Sequence, residues 1–328
     1  MFKKILTIKN VNKGCCISNN QLFFQSGKEI VQYDMAGKKE LLRRSVSDDF
    51  RCFVKRDDLI IGISGLGYTF FDSQLHVVRS IRVKNGIGDY CLYNSNLVVV
   101  TTDYDYTLFL PKEGVQDIFS DEVLWESNSG EVIEIGSNIA FTVSLKGVSR
   151  RGLGKGELKW FVETSSGKYL PNLVGVSNDV AVFSFKDLDK LIAFDVETGK
   201  VKYEIKTFAR GLCIDEKKGL LHQMLANYAA YDLLTGELKD NYQDFSYFKS
   251  VGVETQRSNY VMMGEHIITT DWKEGVIGAF NTTTHKFDWV HKMGGVSFPP
   301  PAPIVYQNSY LLLYDNLGAL HIFDRVLE

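Results

Sequence analysis

The feature that most constrains the fold is a repeat that runs the whole length of the chain. Each copy opens on a polar turn and continues into a short run rich in β-branched and aromatic residues. Most copies lie about forty residues apart, and the last two intervals are wider. The eight turns are Asn19-Asn20, Asp57-Asp58, Ser95-Asn96, Ser137-Asn138, Asn178-Asp179, Lys218-Gly219, Gly264-Glu265 and Asn308-Ser309.

A second signature follows most copies of the turn. It consists of an aromatic residue and an Asp or Asn, followed in the clearest copies by a turn of the Gly-Lys type. The clearest copy runs from Phe194-Asp195 to Gly199-Lys200, and others begin at Tyr33-Asp34, Phe71-Asp72, Tyr231-Asp232, Phe280-Asn281 and Phe323-Asp324. Each repeat therefore holds about four short strands, which predicts a four-stranded antiparallel sheet. A period of this length is typical of one blade of a β-propeller.

The two ends of the chain extend this interpretation. The last repeat stops near Asp324 without a fourth strand, whereas residues 4–8 precede the first complete repeat and resemble a strand. Pairing them would close a ring and leave no exposed sheet edge. We therefore predict an all-β, eight-bladed β-propeller in which residues 1–328 form one domain and the N-terminal strand completes the C-terminal blade. Seven blades is the alternative, if the weaker repeats near residues 96–165 share a blade.

The stretch from Ala193 to Lys200 resembles the repeat of PQQ-like propellers. That superfamily includes the eight-bladed quinoprotein alcohol dehydrogenases and an outer-membrane assembly lipoprotein. In it, a tryptophan after the Gly-Lys turn docks neighbouring blades. Trp160 and Trp289 fit that place, while Tyr203, Asp240 and Leu41 occupy it in other repeats. The resemblance implies the architecture rather than an activity, since one fold hosts many functions, and we expect a non-catalytic member.

The adjacent cysteines Cys15 and Cys16 are the most suggestive chemical feature. In some quinoprotein dehydrogenases two adjacent cysteines form a ring that lies over the quinone. The register of the repeat favours a structural role here. Cys16, Cys52, Cys91 and Cys213 each lie six or seven residues before the apolar residue that follows the polar turn. We therefore predict that they pack as small apolar residues on the innermost strands, and we expect no cofactor.

The other candidate groups give no enzyme signal. A metal site needs three or four converging ligands, whereas the histidines are scattered over several repeats, at His222, His266, His285, His291 and His321. The glycine runs at residues 62–67 and 152–156 have neither the Walker spacing nor a following helix pattern. Carboxylate pairs such as Asp48-Asp49 fall in loops and turns. We predict no catalytic residues and no metal.

Composition and charge narrow the partners and the compartment. The net charge is −3, and no patch dense in Lys or Arg offers a surface for nucleic acid. The apolar run at the N-terminus ends after Ile8, short of a signal sequence or a membrane span, although a chain with its signal removed would look the same. Five cysteines without CxxC spacing fit a reducing compartment. We predict a cytoplasmic monomer with no nucleic-acid or membrane partner.

The register of the repeat sorts the loops onto two rims of the predicted ring. The tight, uniform turns lie on one rim, and the more variable turns between second and third strands lie on the other, with the connections between blades. Variable loops on a rigid scaffold commonly carry function, and Tyr, Trp and Arg commonly anchor protein interfaces. We predict that the variable rim binds a protein partner through Tyr104, Tyr106, Arg150, Arg151, Phe245, Tyr247, Trp272 and Phe298.

The sequence thus favours a non-catalytic binding module: a scaffold, an adaptor, or an inhibitor such as an immunity protein. Two alternatives stay open. One is a quinone- or metal-dependent oxidoreductase, or a hydrolase, with its site at the central channel. The other is a carbohydrate-binding propeller, since exposed aromatic residues beside Asp and Asn also suit a sugar.

Overall fold

The computed structural model of the chain is built almost entirely from β-strands. It describes residues 1–83, 87–93, 96–105, 110–120, 122–128, 130–164, 168–177, 179–225, 227–253, 260–271, 273–298 and 304–326. The strands form eight four-stranded antiparallel sheets, called blades 1 to 8 here. They are numbered along the chain, so that β2–β5 form blade 1, each following set of four strands forms the next blade, and β30–β32 with β1 form blade 8. Two compact units contain four blades each: unit 1 joins residues 1–82 to 244–328, and unit 2 is residues 83–243.

Unit 1 contains blades 1, 2, 7 and 8. Its strands are β1 (Phe2–Ile8), β2 (Val11–Ser18), β3 (Gln21–Ser26), β4 (Glu29–Asp34), β5 (Lys39–Ser45), β6 (Phe50–Arg56), β7 (Leu59–Ser64), β8 (Gly67–Phe71), β9 (Val77–Arg82), β26 (Tyr260–Met263), β27 (His266–Thr270), β28 (Val276–Asn281), β29 (Lys286–Lys292), β30 (Ile304–Gln307), β31 (Tyr310–Tyr314) and β32 (Leu320–Arg325). A short helix, α1 (Phe245–Val251), precedes blade 7.

Unit 2 contains blades 3 to 6. Its strands are β10 (Ile87–Tyr93), β11 (Asn96–Asp105), β12 (Leu110–Asp117), β13 (Val123–Glu126), β14 (Val132–Gly136), β15 (Ile139–Ser144), β16 (Gly147–Arg151), β17 (Leu158–Glu163), β18 (Asn172–Ser177), β19 (Val180–Phe185), β20 (Lys190–Asp195), β21 (Val201–Lys206), β22 (Leu212–Asp215), β23 (Leu220–Met224), β24 (Tyr228–Asp232) and β25 (Leu238–Tyr242). A 3-10 turn spans Lys186–Leu188.

The blade count of eight is the predicted one. The weaker repeats near residues 96–165 form two separate sheets, β10–β13 and β14–β17, rather than one shared blade. The last sheet has the order β1-β32-β31-β30. Phe2 lies opposite Arg325, and Ile8 lies opposite Leu320. The N-terminal strand therefore supplies the fourth strand of blade 8.

The polar turns of the repeat are hairpin turns between first and second strands. In blade 1, Asn19 and Asn20 both have positive φ, 50° and 58°. Positive φ at both central residues defines the type I′ turn, whose twist matches that of the flanking strands and which favours Asn, Asp and Gly. The equivalent turn of blade 3 falls at residues 94–95, outside the described part of the chain.

The aromatic-Asp signature ends the third strand and shapes the turn to the fourth. The Oδ1 atom of Asp195 accepts hydrogen bonds from the backbone N–H of Thr198 (2.9 Å) and from its hydroxyl (2.7 Å). Asp232 accepts two backbone hydrogen bonds in the same way, from Leu234 and Thr235. The two hydrogen bonds from Thr198, first that of its hydroxyl, lower the pKa of Asp195. The Asp is therefore a turn-forming residue.

In unit 2 the fourth strand of one blade is fastened to the next blade by an aromatic side chain. Trp125 Nε1 donates to the carbonyl oxygen of Leu153 (2.7 Å), Trp160 Nε1 donates to that of Val196 (2.7 Å), and Tyr203 Oη donates to that of Leu233 (2.9 Å). The docking role expected for Trp160 is thus present. Tyr203 fills the same role, and Trp125 is a member that the sequence reasoning missed.

The core lies mainly along the second and third strands. Every residue of β19 and of β28 is buried, because these strands pack against neighbours on both faces. The fourth strand β29 instead alternates between exposed and partly buried residues. Among the described residues, no helix has the length and apolar character that a membrane span requires.

Candidate functional site

Antiparallel topology gives every blade two different ends. The hairpin end carries the turns between first and second strands and between third and fourth strands. The connection end carries the turn between second and third strands, together with the chain that leads to the next blade. The connection ends correspond to the variable rim, where the sequence predicts a binding surface.

The connection ends of four blades each present one leucine at the tip of a turn. These leucines are 38% to 67% exposed, and they are Leu66 in blade 2, Leu145 in blade 4, Leu188 in blade 5 and Leu317 in blade 8. At the hairpin ends, the only comparably exposed large apolar residue on a described turn is Leu234, at 48%. Other exposed apolar side chains lie mainly on the fourth strands. Exposed leucines are therefore more frequent on the described turns of the connection ends than on those of the hairpin ends.

Polar side chains hold these turns in shape. Ser64 Oγ accepts from the backbone N–H of Leu66 (3.2 Å) and donates to the carbonyl oxygen of Gly67 (3.0 Å). Asp315 Oδ1 accepts from the backbone N–H of Leu317 and of Ala319, both at 2.8 Å. Since the turns are internally hydrogen-bonded, their leucines are displayed on preformed loops. Preformed loops lower the entropy lost when a partner binds.

A cleft of about 1080 Å³ lies at the connection end of unit 1. Its walls include the chain from Ser47 to Arg51, the turns at Ser64–Leu66 and Tyr314–Gly318, and Arg82. Arg82 lies 3.9 Å from Asp48, measured from Nη2 to Oδ1, and Lys28 lies 3.0 Å from Asp49. The cleft therefore combines both signs of charge with the exposed Leu66 at its margin.

The connection end of unit 2 carries four exposed apolar side chains on neighbouring loops, called the turn cluster here. Its members are Leu145, Tyr169, Leu188 and Phe208, all exposed. Backbone N–H groups in these loops donate hydrogen bonds to neighbouring loops. Thr164 donates to the carbonyl oxygen of Lys146 (3.0 Å), and Thr207 donates to that of Asp189 (2.8 Å). Tyr169 donates to Asp187 Oδ2 (2.9 Å). The backbone N–H of Lys168 also donates to Asp187 Oδ2. The turn of Leu188 is therefore joined to the loops of Tyr169 and Phe208, and the turn of Leu145 is joined to the end of the loop that follows β17.

The structure places several predicted partner-binding residues away from the connection end or in the core. Arg150 and Arg151 lie at the hairpin end of β16, because Arg151 pairs with Ala140 at the start of β15. This corrects their predicted place. Arg150 binds Glu197 (2.8 Å) and the carbonyl oxygen of Val196, so it links blades 4 and 5. Phe298 is 2% exposed, and this burial corrects its prediction as a contact residue.

Three of the other predicted residues, Tyr104, Phe245 and Tyr247, lie at connection ends. Tyr247 is half-buried on α1, and its hydroxyl accepts from the backbone N–H of Phe287 (2.7 Å), which fixes the helix against blade 7. Phe245 begins α1 and Tyr104 lies near the end of β11, but their side chains are outside the described set. Tyr106 and Trp272 are outside the described residues altogether. The contact role of these residues stays a prediction.

The cysteines occupy the innermost strands, as predicted: Cys15 and Cys16 lie in β2, Cys52 in β6, Cys91 in β10 and Cys213 in β22. Burial raises the pKa of the Cys15 thiol to about 11 and those of Cys16 and Cys213 to about 12. Thiols with such pKa values are protonated at neutral pH and therefore poor nucleophiles. This chemistry agrees with a packing role.

Two buried histidines belong to structural hydrogen-bond networks. His321 Nε2 lies 2.8 Å from Asp315 Oδ2, and its Nδ1 lies 3.1 Å from Thr7 Oγ1, which links β32 to β1. His222 Nδ1 lies 3.0 Å from the Tyr228 hydroxyl, and burial lowers the pKa of His222 to about 4. Among the described residues, no group of three or more His, Cys, Asp or Glu side chains is arranged to hold a metal ion.

Comparison with solved structures identifies the fold. BamB from Moraxella catarrhalis superposes with a TM-score of 0.68 at 12% identity, covering 99% of this chain and 100% of that one. Sqt1 from Saccharomyces cerevisiae gives 0.69 at 9% identity, covering 99% and 100%. A europium-containing methanol dehydrogenase gives 0.68 at 9% identity, covering 99% and 93%. The chain is a β-propeller.

The β-propeller fold that the resemblance implied is thereby confirmed, and BamB and the methanol dehydrogenase are among the similar structures. Identities this low establish a shared fold and leave function to the site. No family model matches the sequence. No curated protein matches it either.

Proposed function

We propose that this β-propeller is a non-catalytic binding module that holds a protein partner at the connection ends of its blades. The observation that carries the proposal is the set of exposed leucines on preformed turns there, with only Leu234 comparable on the described hairpin turns. Exposed apolar side chains on preformed loops are typical of protein interfaces. A scaffold, an adaptor and an inhibitor of the immunity type all suit such a surface.

The proposal includes a single closed ring of eight blades over residues 1–328. Its support is the pairing of β1 with β32, which gives blade 8 a fourth strand from the opposite end of the chain. Pairing of the N-terminal strand with the C-terminal blade would remove the sheet edges that promote aggregation. We also propose a cytoplasmic monomer. The thiols of Cys15, Cys16 and Cys213, which form no disulfide in the described part of the chain, support the reducing compartment.

The test is affinity capture from extracts of the source organism, quantified by mass spectrometry. The bait with Leu66, Leu145, Leu188 and Leu317 all changed to Ser should lose the partner that the wild-type chain captures. Leu234→Ser is the matched control, since it removes an equally exposed leucine from a hairpin end, and it should retain the partner. Equal capture by all three baits would contradict the proposal.

A second candidate function rests on the cleft of unit 1. Its volume of about 1080 Å³ and its lining of Asp48, Asp49, Arg51 and Asn316 would suit a small polar ligand such as a carbohydrate. Screening on a glycan array, followed by titration against Asn316→Ala, tests this function. A sugar that binds the wild-type chain and the variant equally would argue against the cleft as its site.

A further inference from the structure

Charged residues lie near the apolar members of the turn cluster, and their sign indicates the charge of its partner. A lysine or arginine lies within two residues of each apolar member in sequence: Lys146 follows Leu145, Lys168 precedes Tyr169, Lys186 lies two residues before Leu188, and Phe208 lies between Lys206 and Arg210. All five cationic residues are exposed. None of them forms an ion pair with another residue in the part of the chain that the structure describes.

Carboxylates within two residues of these apolar side chains are fewer, namely Asp187 and Asp189. Asp187 accepts the backbone N–H groups of Lys168 and Tyr169, and Glu204 lies 3.4 Å from Lys190. Glu163, at the end of β17, is a further carboxylate at this end. The chain as a whole carries a net charge of −3, so this apolar surface is a basic region on an acidic protein. A basic region of this kind attracts and orients acidic partners.

Apolar side chains and unpaired cations together specify a partner segment that has apolar and acidic residues. The apolar residues would cover Leu145, Tyr169, Leu188 and Phe208, while the carboxylates would pair with the surrounding lysines. A segment of protein suits this pattern better than an anionic membrane surface. A bilayer would bring negative charge against Asp189 and Glu163 as well, whereas a peptide can place its carboxylates opposite the lysines alone.

We propose that the turn cluster of unit 2 binds an acidic amphipathic segment of a partner protein, an inference that rests on the proposed function. The apolar contacts supply most of the binding free energy, because they remove exposed leucine and aromatic surface from water. The lysines set the choice of partner and the rate of association, so binding weakens as salt concentration rises.

The test is selection from a random library of 12-residue peptides, displayed on phage, against the immobilised full-length chain. The expected enriched peptides carry net negative charge together with Leu, Ile, Phe or Trp. Their affinity should fall at least about tenfold for the double variant Leu188→Ser/Phe208→Ser, a loss typical of truncated interface anchors. The double variant Leu66→Ser/Leu317→Ser, which changes unit 1, should bind them as the wild type does.

A charge swap gives a second readout that a general loss of folding would not produce. The variant Lys146→Glu/Lys168→Glu/Lys186→Glu should lose the acidic peptides and gain affinity for the same peptides with their Asp and Glu changed to Lys. Surface substitutions of this kind change stability little, and the urea midpoint of each variant checks that it folds.

Several outcomes would overturn the inference. Enriched peptides that are neutral or basic, or peptides unaffected by the unit 2 variants, would do so. Peptides that depend on Leu66 and Leu317 instead would leave the proposed function standing and move the site to unit 1. Failure to enrich any peptide would also refute binding of an acidic segment. So would binding to vesicles of phosphatidylserine and phosphatidylcholine that the variants of the turn cluster abolish.

Discussion

The indole nitrogen of Trp160 donates a 2.7 Å hydrogen bond to the carbonyl oxygen of Val196, in the next blade of unit 2. The same indole ring faces Gly199, where a Cβ atom would lie 2.6 Å from ring atom Cδ2. One side chain thus joins a hydrogen bond to close packing against a turn. Tyr203 repeats the arrangement one blade later, against Leu233 and Gly236.

Replacing Trp160 should separate these two contributions. Trp160→Phe keeps an aromatic ring but loses the hydrogen bond, so we expect a loss of about 1 kcal/mol in the free energy of unfolding. Trp160→Ala also opens a cavity in the core, and a loss of about 3–5 kcal/mol is expected. Urea titration followed by circular dichroism measures both. Equal effects of the two substitutions would show that the hydrogen bond and the ring are not separable in this way.

The turn glycine that faces Trp160 should tolerate no side chain. Gly199→Ala adds a methyl group at a positive φ of 71° and within 2.6 Å of the indole ring. Gly264→Ala is a matched control, because Gly264 also has positive φ, 60°, but has no atom within 4 Å of an added Cβ. We expect the control to lose about 1 kcal/mol from backbone strain and Gly199→Ala to lose clearly more. Equal shifts of the urea midpoint would refute the contact.

How far the sequence predicts this fold depends on what the repeat encodes locally. Turn chemistry is local: Asn19-Asn20 and Asp195 act within a few residues, so strand order, the blade count and the place of the cysteines follow from the pattern. Trp125 was missed because the Gly-Lys turn that should precede it is absent from its repeat. Its partner, Leu153, belongs to the next blade, and such contacts are invisible to a repeat read one copy at a time.

The candidate surface was less predictable, for physical reasons. Residue type alone suggested Arg150 and Phe298, but strand register puts Arg150 at the hairpin end and packing buries Phe298. The leucines of the turns were missed because a lone Leu in a sequence gives no sign of exposure. The available signal was their recurrence: Leu66, Leu145 and Leu317 all occupy the turn between second and third strands.

Buried His222 should make stability depend on pH. Its pKa is about 4 in the folded chain, against about 6.5 when exposed, because burial disfavours the charged ring. The unfolded chain therefore binds more protons, and this contribution to stability, present above pH 6.5, is lost as pH falls toward 4. On going from pH 7 to pH 5 it should shrink by about 2 kcal/mol.

The check on His222 is the urea midpoint of the wild type and of His222→Gln at pH 7 and pH 5. The variant should be less stable at pH 7 and should show a shallower dependence on pH, because Gln does not titrate. Parallel curves for the two proteins would mean that His222 is not the group responsible.

The pairing of β1 with β32 should contribute strongly to stability. Deleting residues 1–8 removes the buried Phe2 and exposes the edge of β32, so we expect a loss of at least about 2 kcal/mol and aggregation that increases with concentration. A synthetic peptide of residues 1–9 should restore the urea midpoint, whereas the same peptide with Leu6 changed to Pro should not. A truncated chain that stays monomeric with an unchanged midpoint would contradict the closing role of this strand.

The central claim, that the connection ends hold a protein partner, is tested most directly by photo-crosslinking in the source organism. Benzoylphenylalanine would replace Leu145, Leu317 or, at a hairpin end, Leu234, and adducts would be resolved on denaturing gels and identified by mass spectrometry. We expect a discrete adduct with one common protein from at least one of positions 145 and 317, and none from position 234. An adduct formed equally well from position 234, or from that position alone, would contradict it.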